Sequence, residues 1–166
     1  MPGLKAGDSF PEGVTFTYVA PTGQADLTAC GLPIKYDASK EFKTKKAIVV
    51  AVPGAFTPTC QEQHITSYLA NLDKLKAKGV DQVIFIASND HWVMAAWGKA
   101  NGVVDDSILF MSDAGLEFSK SIGWTKGDRT LRYAIIVDHG KVVYADIDDV
   151  PKSIAKSGAE VVLSKL

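Results

Sequence analysis

A cysteine stands where a predicted buried strand gives way to a predicted helix. Residues 47–52 are apolar and typical of a central strand, and residues 61–75 carry apolar side chains at three- and four-residue spacings. Cys60 therefore falls in the first turn of a helix, where unpaired backbone N–H groups and the helix dipole favour an anion. Because the thiolate is the reactive form of cysteine, this position predicts a thiol held ready for nucleophilic attack. An inert buried thiol is the alternative that this placement disfavours.

Strand and helix patterns alternate along the chain. Strands are predicted at residues 14–20, 46–52, 82–87 and 108–111, and helices at 61–78, from about 93 to Gly102, and at 116–122. Residues 133–137 and 141–145 are predicted to pair as a hairpin, and a last helix is predicted over 153–166. This order predicts an α/β fold, with a central mixed β-sheet flanked by helices in a single domain over residues 1–166.

The composition limits the possible classes of function. Hydrophobic residues make up 46% of the 166 residues and charged residues 22%, which is ordinary for a globular chain. The net charge of −1 gives no reason to expect nucleic acid or an anionic membrane as a partner, and no apolar segment is long enough for a membrane span. The N-terminal residues lack the apolar core of a secretory signal. Two cysteines are too few for a disulfide scaffold, so a reducing compartment and a chemical role are expected.

Motifs for bound cofactors are missing from the sequence. It contains no H-E-x-x-H, no C-x-x-C and no compact cluster of histidine and aspartate, so no metal site is expected. His91 and His139 are interpreted as a cap residue and a turn residue. No G-x-G-x-x-G or Walker loop occurs either, so we expect neither a nucleotide nor any other cofactor.

The segment around the cysteine resembles the active-site motif of the peroxiredoxins. The motif is P-x-x-x-T-x-x-C, formed here by Pro53, Thr57 and Cys60. The longer string P-G-A-F-T-P-T-C, followed by His64, is similar to the type-five branch, above all to fungal peroxisomal members and yeast alkyl hydroperoxide reductases. Weaker similarities at 97–99, 118–123 and 132–134 extend the resemblance over nearly the whole chain. It implies a thioredoxin-like fold and a thiol peroxidase that reduces hydrogen peroxide and alkyl hydroperoxides.

Each motif residue has a chemical interpretation beside a structural one. Cys60 would attack the O–O bond of a peroxide and become a sulfenic acid. The Thr57 hydroxyl could orient the peroxide, or it could cap the helix. The resemblance implies that Pro53, which has no backbone N–H, shields the pocket from water; its structural alternative is a strand terminator. Gly54 and Phe56 are expected to line the same pocket.

Arginine is rare in this chain, which has only Arg129 and Arg132 beside sixteen lysines. A guanidinium near the sulfur would stabilise a thiolate and offer a fork of donors to peroxide oxygens. The resemblance aligns Arg132 with the active-site arginine, whereas Arg129 is expected to be a solvated charge in a polar turn. His64 lies four residues after Cys60 on the same predicted helical face, so it could tune the pocket or make a structural hydrogen bond.

The second cysteine, Cys30, lies in a polar loop. The resemblance implies that it resolves the sulfenic acid of a partner subunit in a homodimer, with thioredoxin as the reductant. The alternative is an incidental surface thiol and a one-cysteine cycle that uses glutathione. Trp97 and the apolar face near Phe118 are expected to contribute to the dimer interface.

The chain ends in Ser164-Lys165-Leu166, the form of a peroxisomal import address. This ending predicts a peroxisomal protein that binds the import receptor, with a cytoplasmic pool also compatible. A non-catalytic redox sensor or chaperone with a thioredoxin-like fold remains the alternative of a different class.

Overall fold

Aliphatic and β-branched residues form the strands at the centre of the molecule, which a computed structural model describes over residues 3–166. The strands are β1 (Thr15–Val19), β2 (Pro33–Asp37), β3 (Lys46–Ala51), β4 (Gln82–Ala87), β5 (Leu109–Ser112), β6 (Thr125–Lys126), β7 (Arg129–Thr130), β8 (Tyr133–Asp138) and β9 (Lys141–Ile147). The helices are α1 (Ala38–Glu41), α2 (Thr66–Ala77), α3 (His91–Ala100), α4 (Glu117–Ser121) and α5 (Ala159–Lys165). A π-helical turn at Cys60–Ile65 leads into α2, and a 3₁₀ turn at Ala114–Leu116 leads into α4.

Seven of the strands form one mixed sheet in the order β2-β1-β5-β4-β3-β8-β9. The central strands β3, β4 and β5 run parallel, and all other neighbours pair antiparallel. Strands β6 and β7 form a separate short hairpin before β8. The predicted α/β fold with a central mixed sheet is confirmed.

Helices cover both faces of the sheet, so the central strands are buried on both sides. Helices α2, α3 and α5 pack on one face, and α1 and α4 pack on the other. The side chains of β3 alternate between the two faces, and its last five residues are all fully buried. Trp97 and Phe118 belong to these two cores, with exposed fractions of 0% and 3%. The prediction that Trp97 contributes to a dimer interface is therefore wrong, and a contribution from the apolar face near Phe118 stays a prediction that cannot involve the buried Phe118 ring itself.

The last helix is shorter than predicted, since α5 begins only at Ala159. The reason lies in Asp148, whose carboxylate accepts hydrogen bonds from the backbone N–H groups of Lys156 and Ser157. These bonds hold residues 153–158 in an irregular loop. Within residues 3–166, no helix has the length and apolar character needed to cross a bilayer.

Candidate active site

Sheet register brings together two segments that are far apart in the chain. Strands β3 and β8 are antiparallel, and Ala51 at the end of β3 pairs with Tyr133 at the start of β8. The loop that follows β3 and the residue that precedes β8, Arg132, therefore lie at the same edge of the sheet. Thr130 reinforces this approach, because its hydroxyl donates to the carbonyl oxygen of Val52 at 3.0 Å.

The loop after β3 is held in place by its own polar contacts. The Ala55 N–H donates to Oδ1 of Asn89 at 2.9 Å, which ties the loop to the end of β4. The Thr57 hydroxyl donates to the carbonyl oxygen of Gly54 at 2.7 Å, so it closes the loop. The Thr57 carbonyl accepts the first helical bond, from the N–H of Gln61 at 2.8 Å. Phe56 has a φ of 61°, a conformation that is costly for a bulky residue and that marks a constrained turn.

Cys60 occupies the start of the helix that this loop begins. Its side chain is buried, with an exposed fraction of 1%. Nη2 of Arg132 donates to the sulfur at 3.2 Å. The guanidinium thus places a positive charge and a hydrogen-bond donor directly beside the sulfur. The surrounding turn is π-helical, a rare form that occurs mostly at functional sites.

His64 contacts the guanidinium through the terminal nitrogen that does not bind the sulfur. Its Nδ1 lies 2.9 Å from Nη1 of Arg132, and its Nε2 lies 3.1 Å from the carbonyl oxygen of Ser157. Arginine can only donate and a carbonyl can only accept, so Nδ1 accepts and Nε2–H donates, which fixes a neutral tautomer. Complete burial, together with the charge of Arg132, lowers the pKa of His64 to about 3. The ring is therefore a neutral acceptor for Arg132 throughout the physiological pH range.

The remaining residues predicted from the motif lie around this centre. Pro53 is half-buried two residues after the end of β3, while the Phe56 side chain is exposed. Gly54 is buried, and a Cβ atom at this position would lie 3.0 Å from Cγ2 of Thr57 and 3.3 Å from Nη1 of Arg129. The Arg129 side chain is exposed as expected, yet its guanidinium packs over the loop that leads to Cys60. A side chain at this position would therefore require Thr57 or the Arg129 guanidinium to move by a few tenths of an ångström.

Cys30 lies in a different environment. Both cysteines are free, and Cys30 is exposed. Its loop is pinned to α3: Nζ of Lys99 donates to the carbonyl oxygens of Asp26 and Ala29, both at 2.9 Å, and Nε1 of Trp92 donates to that of Gly31 at 3.1 Å. An adjoining cavity of about 270 Å³ is lined by the Cys30 segment, α3 and β5, but by neither Cys60 nor Arg132. The structure thus brings Arg132 and His64 to Cys60, but does not bring Cys30 there.

Three polar residues of the site were not predicted from the sequence. Asn89 holds the loop before Cys60, and Ser157 and Asp148 lie behind His64. No sequence motif marks them, since His64 and Ser157 are 93 positions apart. In residues 3–166, histidine, cysteine, aspartate and glutamate nowhere form a group of three that could hold a metal ion.

The chemistry available here is that of one sulfur at the start of a helix, beside a guanidinium that can also offer donors to a bound oxygen. An α/β sheet that carries such a cysteine defines a thiol-dependent redox enzyme. Comparison with known proteins gives the family. The Redoxin family model matches residues 5–163, and the chain belongs to the peroxiredoxins within that family.

Similar proteins span the whole chain. Peroxiredoxin AHP1 of Chaetomium thermophilum is 58% identical over 166 residues, which cover 100% of this chain and 96% of that protein. A protein of Lipomyces kononenkoae, provisionally named a peroxisomal peroxiredoxin, is 48% identical over 166 aligned residues. The alignment covers 96% of this chain and 99% of that protein.

Solved structures of peroxiredoxins superpose on nearly the whole chain. Reduced Prx3 of Vibrio vulnificus in complex with hydrogen peroxide superposes with a TM-score of 0.81 at 35% identity, over 97% of this chain and 94% of that one. Peroxiredoxin 5 of Alvinella pompejana superposes with a TM-score of 0.76 at 27% identity, over 98% and 97% of the two chains. The predicted thioredoxin-like fold, the resemblance to type-five peroxiredoxins and the thiol peroxidase activity are confirmed.

Proposed function

We propose that Cys60 is the thiol that attacks the peroxide, with Arg132, Thr57 and Pro53 forming its immediate surroundings. The observation that carries this assignment is the 3.2 Å contact between Nη2 of Arg132 and the buried sulfur. The thiolate attacks one oxygen of the peroxide and the O–O bond breaks. The leaving oxygen takes a proton and departs as water or an alcohol, and Cys60 remains as a sulfenic acid.

Thr57 and Arg132 have complementary roles in this step. The Thr57 hydroxyl donates its hydrogen bond to the Gly54 carbonyl, so the hydroxyl oxygen remains free to accept a hydrogen bond from a peroxide O–H. Arg132 supplies donors toward the oxygen on which negative charge develops. Pro53 adds no N–H to the rim, and Gly54, Phe56 and His64 complete the pocket. The substrates of this site are hydrogen peroxide and alkyl hydroperoxides.

The sulfenic acid is then resolved by Cys30 of a second copy of the chain. The Cys30 thiol attacks the sulfenic sulfur, a disulfide forms and water leaves; thioredoxin, as a dithiol, reduces the disulfide and is itself oxidised. Two features support the homodimer. Cys30 is exposed while Cys60 is buried. The segments near the two cysteines also carry exposed apolar side chains, namely Leu32 at 87%, Phe56 at 53% and Trp92 at 48%.

Substitution of Cys30 by serine tests this scheme. After one equivalent of hydrogen peroxide, the wild-type protein should run as a covalent dimer on a non-reducing gel. Cys30→Ser should run as a monomer whose sulfenic acid, trapped with a dimedone-type reagent and located by mass spectrometry, is at Cys60. Turnover with thioredoxin and its reductase should fall to background, because the sulfenic acid lacks its resolving thiol.

The alternatives give different results in the same experiment. A monomer that contains a Cys30–Cys60 bridge would contradict resolution between subunits. Full turnover of Cys30→Ser with thioredoxin would contradict the resolving role and indicate a one-cysteine cycle, and turnover with glutathione in place of thioredoxin would identify the other donor.

The last three residues are proposed as a peroxisomal address that binds the import receptor. The peroxisomal name of the Lipomyces relative supports this proposal, and peroxisomes produce the substrate of the enzyme. In the structure, Ser164 and Lys165 are exposed at the end of α5, whereas Leu166 packs partly against the core. A receptor that takes the leucine side chain must therefore displace it from this packing.

Deletion of residues 164–166 should move an N-terminally tagged protein from peroxisomes to the cytosol, as seen by fluorescence microscopy, and leave peroxidase activity in vitro intact. A matched control appends Gly-Ser after Leu166, which hides the address but keeps the packing of α5. Both variants should become cytosolic. Continued import of either one would show that the tripeptide is not the address.

A further inference from the structure

A closed ring of hydrogen bonds runs through the residues behind Cys60. Arg132 donates to His64, His64 donates to the Ser157 carbonyl, Ser157 donates to the Asp148 carboxylate, and the Asp148 N–H donates back to the carbonyl of Arg132. We propose that Asp148 is a positioning residue for the peroxidase reaction, acting through Ser157 and His64 to hold the Arg132 guanidinium against the sulfur. This inference rests on the proposed role of Arg132.

Sheet register sets the starting point of the ring. Strands β8 and β9 pair so that Tyr133 lies opposite Ile147, and the next residue, Asp148, lies beside Arg132. Its N–H donates to the Arg132 carbonyl at 2.8 Å, which extends the ladder by one bond beyond the strands. The backbone of Arg132 is thus fixed by the same residue whose side chain organises the loop before α5.

The Asp148 carboxylate accepts four hydrogen bonds from that loop. Oδ1 accepts from the Lys156 N–H at 2.9 Å and from the Ser153 hydroxyl at 3.3 Å. Oδ2 accepts from the Ser157 N–H at 3.0 Å and from the Ser157 hydroxyl. Both oxygens are used, so a carboxylate fits this position and a carboxamide does not, because its NH₂ group would face two donors. The result is a fixed orientation of the Ser157 peptide.

The Ser157 carbonyl connects the loop before α5 to the active site, because it binds His64. It accepts hydrogen bonds from Nε2 of His64 at 3.1 Å and from the hydroxyl of Tyr68 at 2.6 Å, and both of these side chains are fully buried. A carbonyl at this place requires the proton of His64 to be on Nε2, which leaves Nδ1 unprotonated for Arg132. If the Ser157 carbonyl moved away, His64 could carry its proton on Nδ1, where it would oppose the N–H of Arg132.

Substitution of Asp148 by asparagine, with Asp149→Asn as the matched control, tests the inference. Asp149 is the exposed neighbour, and its carboxylate lies 3.5 Å from Nζ of Lys156. The measurement is the second-order rate constant for reaction of the reduced protein with hydrogen peroxide by stopped flow, with melting temperatures to confirm that each variant is folded. Asp148→Asn should lower the rate constant roughly tenfold, a coupling of ordinary size for residues in one network, and Asp149→Asn should leave it unchanged.

A double-mutant cycle separates positioning from general destabilisation. In an Arg132→Met background the further change Asp148→Asn should have little effect, because there is no guanidinium left to position. Equal losses in both backgrounds, or an unchanged rate constant in the folded Asp148→Asn protein, would overturn the inference. An unchanged rate constant in Arg132→Met alone would instead refute the proposed role of Arg132.

A milder variant keeps the test decisive if Asp148→Asn does not fold. Ser157→Ala removes one of the four donors to the carboxylate and keeps the carbonyl that His64 needs. It should lower the rate constant about threefold, less than Asp148→Asn because three of the four donors to the carboxylate remain, and again only when Arg132 is present. A threefold loss that persists in the Arg132→Met background would contradict the ring as a positioning device.

Discussion

Replacement of Cys60 by serine is expected to abolish peroxide turnover while the fold remains intact. A serine hydroxyl is nearly the same size as a thiol, so the buried site around Cys60 can accommodate it. It stays protonated and is a weak nucleophile, so the O–O bond is no longer attacked. We expect the rate of hydrogen peroxide consumption with thioredoxin to fall by at least about a thousandfold.

Circular dichroism and the melting temperature provide the control for folding of this variant. The Cys30→Ser protein, which keeps the attacking thiol, provides the control for chemistry, since it should still consume one equivalent of peroxide. Most of the activity surviving in Cys60→Ser would remove this residue from the centre of the mechanism.

The second large effect is expected from Arg132→Lys. Arg132 uses two different nitrogens, Nη1 toward His64 and Nη2 toward the Cys60 sulfur. An ammonium group keeps the charge but cannot span both partners in a plane. We expect the second-order rate constant with peroxide to fall by about 10²-fold or more, the usual loss when a donor to developing oxygen charge is removed.

Arg129→Lys is the matched control for that substitution. Arg129 is exposed and packs over Gly54, outside the contacts that reach the sulfur. The change should therefore have a much smaller effect on the same rate constant. If the two variants ranked in the opposite order, the assignment of roles to the two arginines would be wrong.

The sequence predicted those parts of the molecule that depend on local pattern. Strands β3, β4 and β8 are continuous apolar segments, and they form within one residue of their predicted bounds. Cys60 was placed correctly at the start of a helix for the same reason. Arg132 came from the resemblance to the peroxiredoxins, and its proximity to the sulfur follows from strand pairing that no local pattern reveals.

Other features depend on contacts between distant segments and were missed. Residues 153–158 were predicted to be helical, yet the Asp148 carboxylate binds their N–H groups and holds them as a loop. Strand β2 has four exposed residues out of five, so it lacks the alternation that marks a half-buried strand. Trp97 was predicted to contribute to the interface of the homodimer that the resemblance implies, but it fills the core between α3 and the sheet.

Access to the Cys60 sulfur depends on the stability of the π-helical turn at Cys60–Ile65. A disulfide needs the Cα atoms of its two cysteines within about 7 Å, whereas the Cys60 side chain is only 1% exposed at the surface. If Cys30 of a second copy resolves the sulfenic acid, as proposed above, this turn must open before the disulfide can form. How often it does so determines how long the sulfenic acid waits, and a waiting sulfenic acid can meet a second peroxide and become an irreversible sulfinic acid. Under that scheme, substitutions that stabilise this turn are expected to shift the enzyme from recycling toward irreversible oxidation of Cys60.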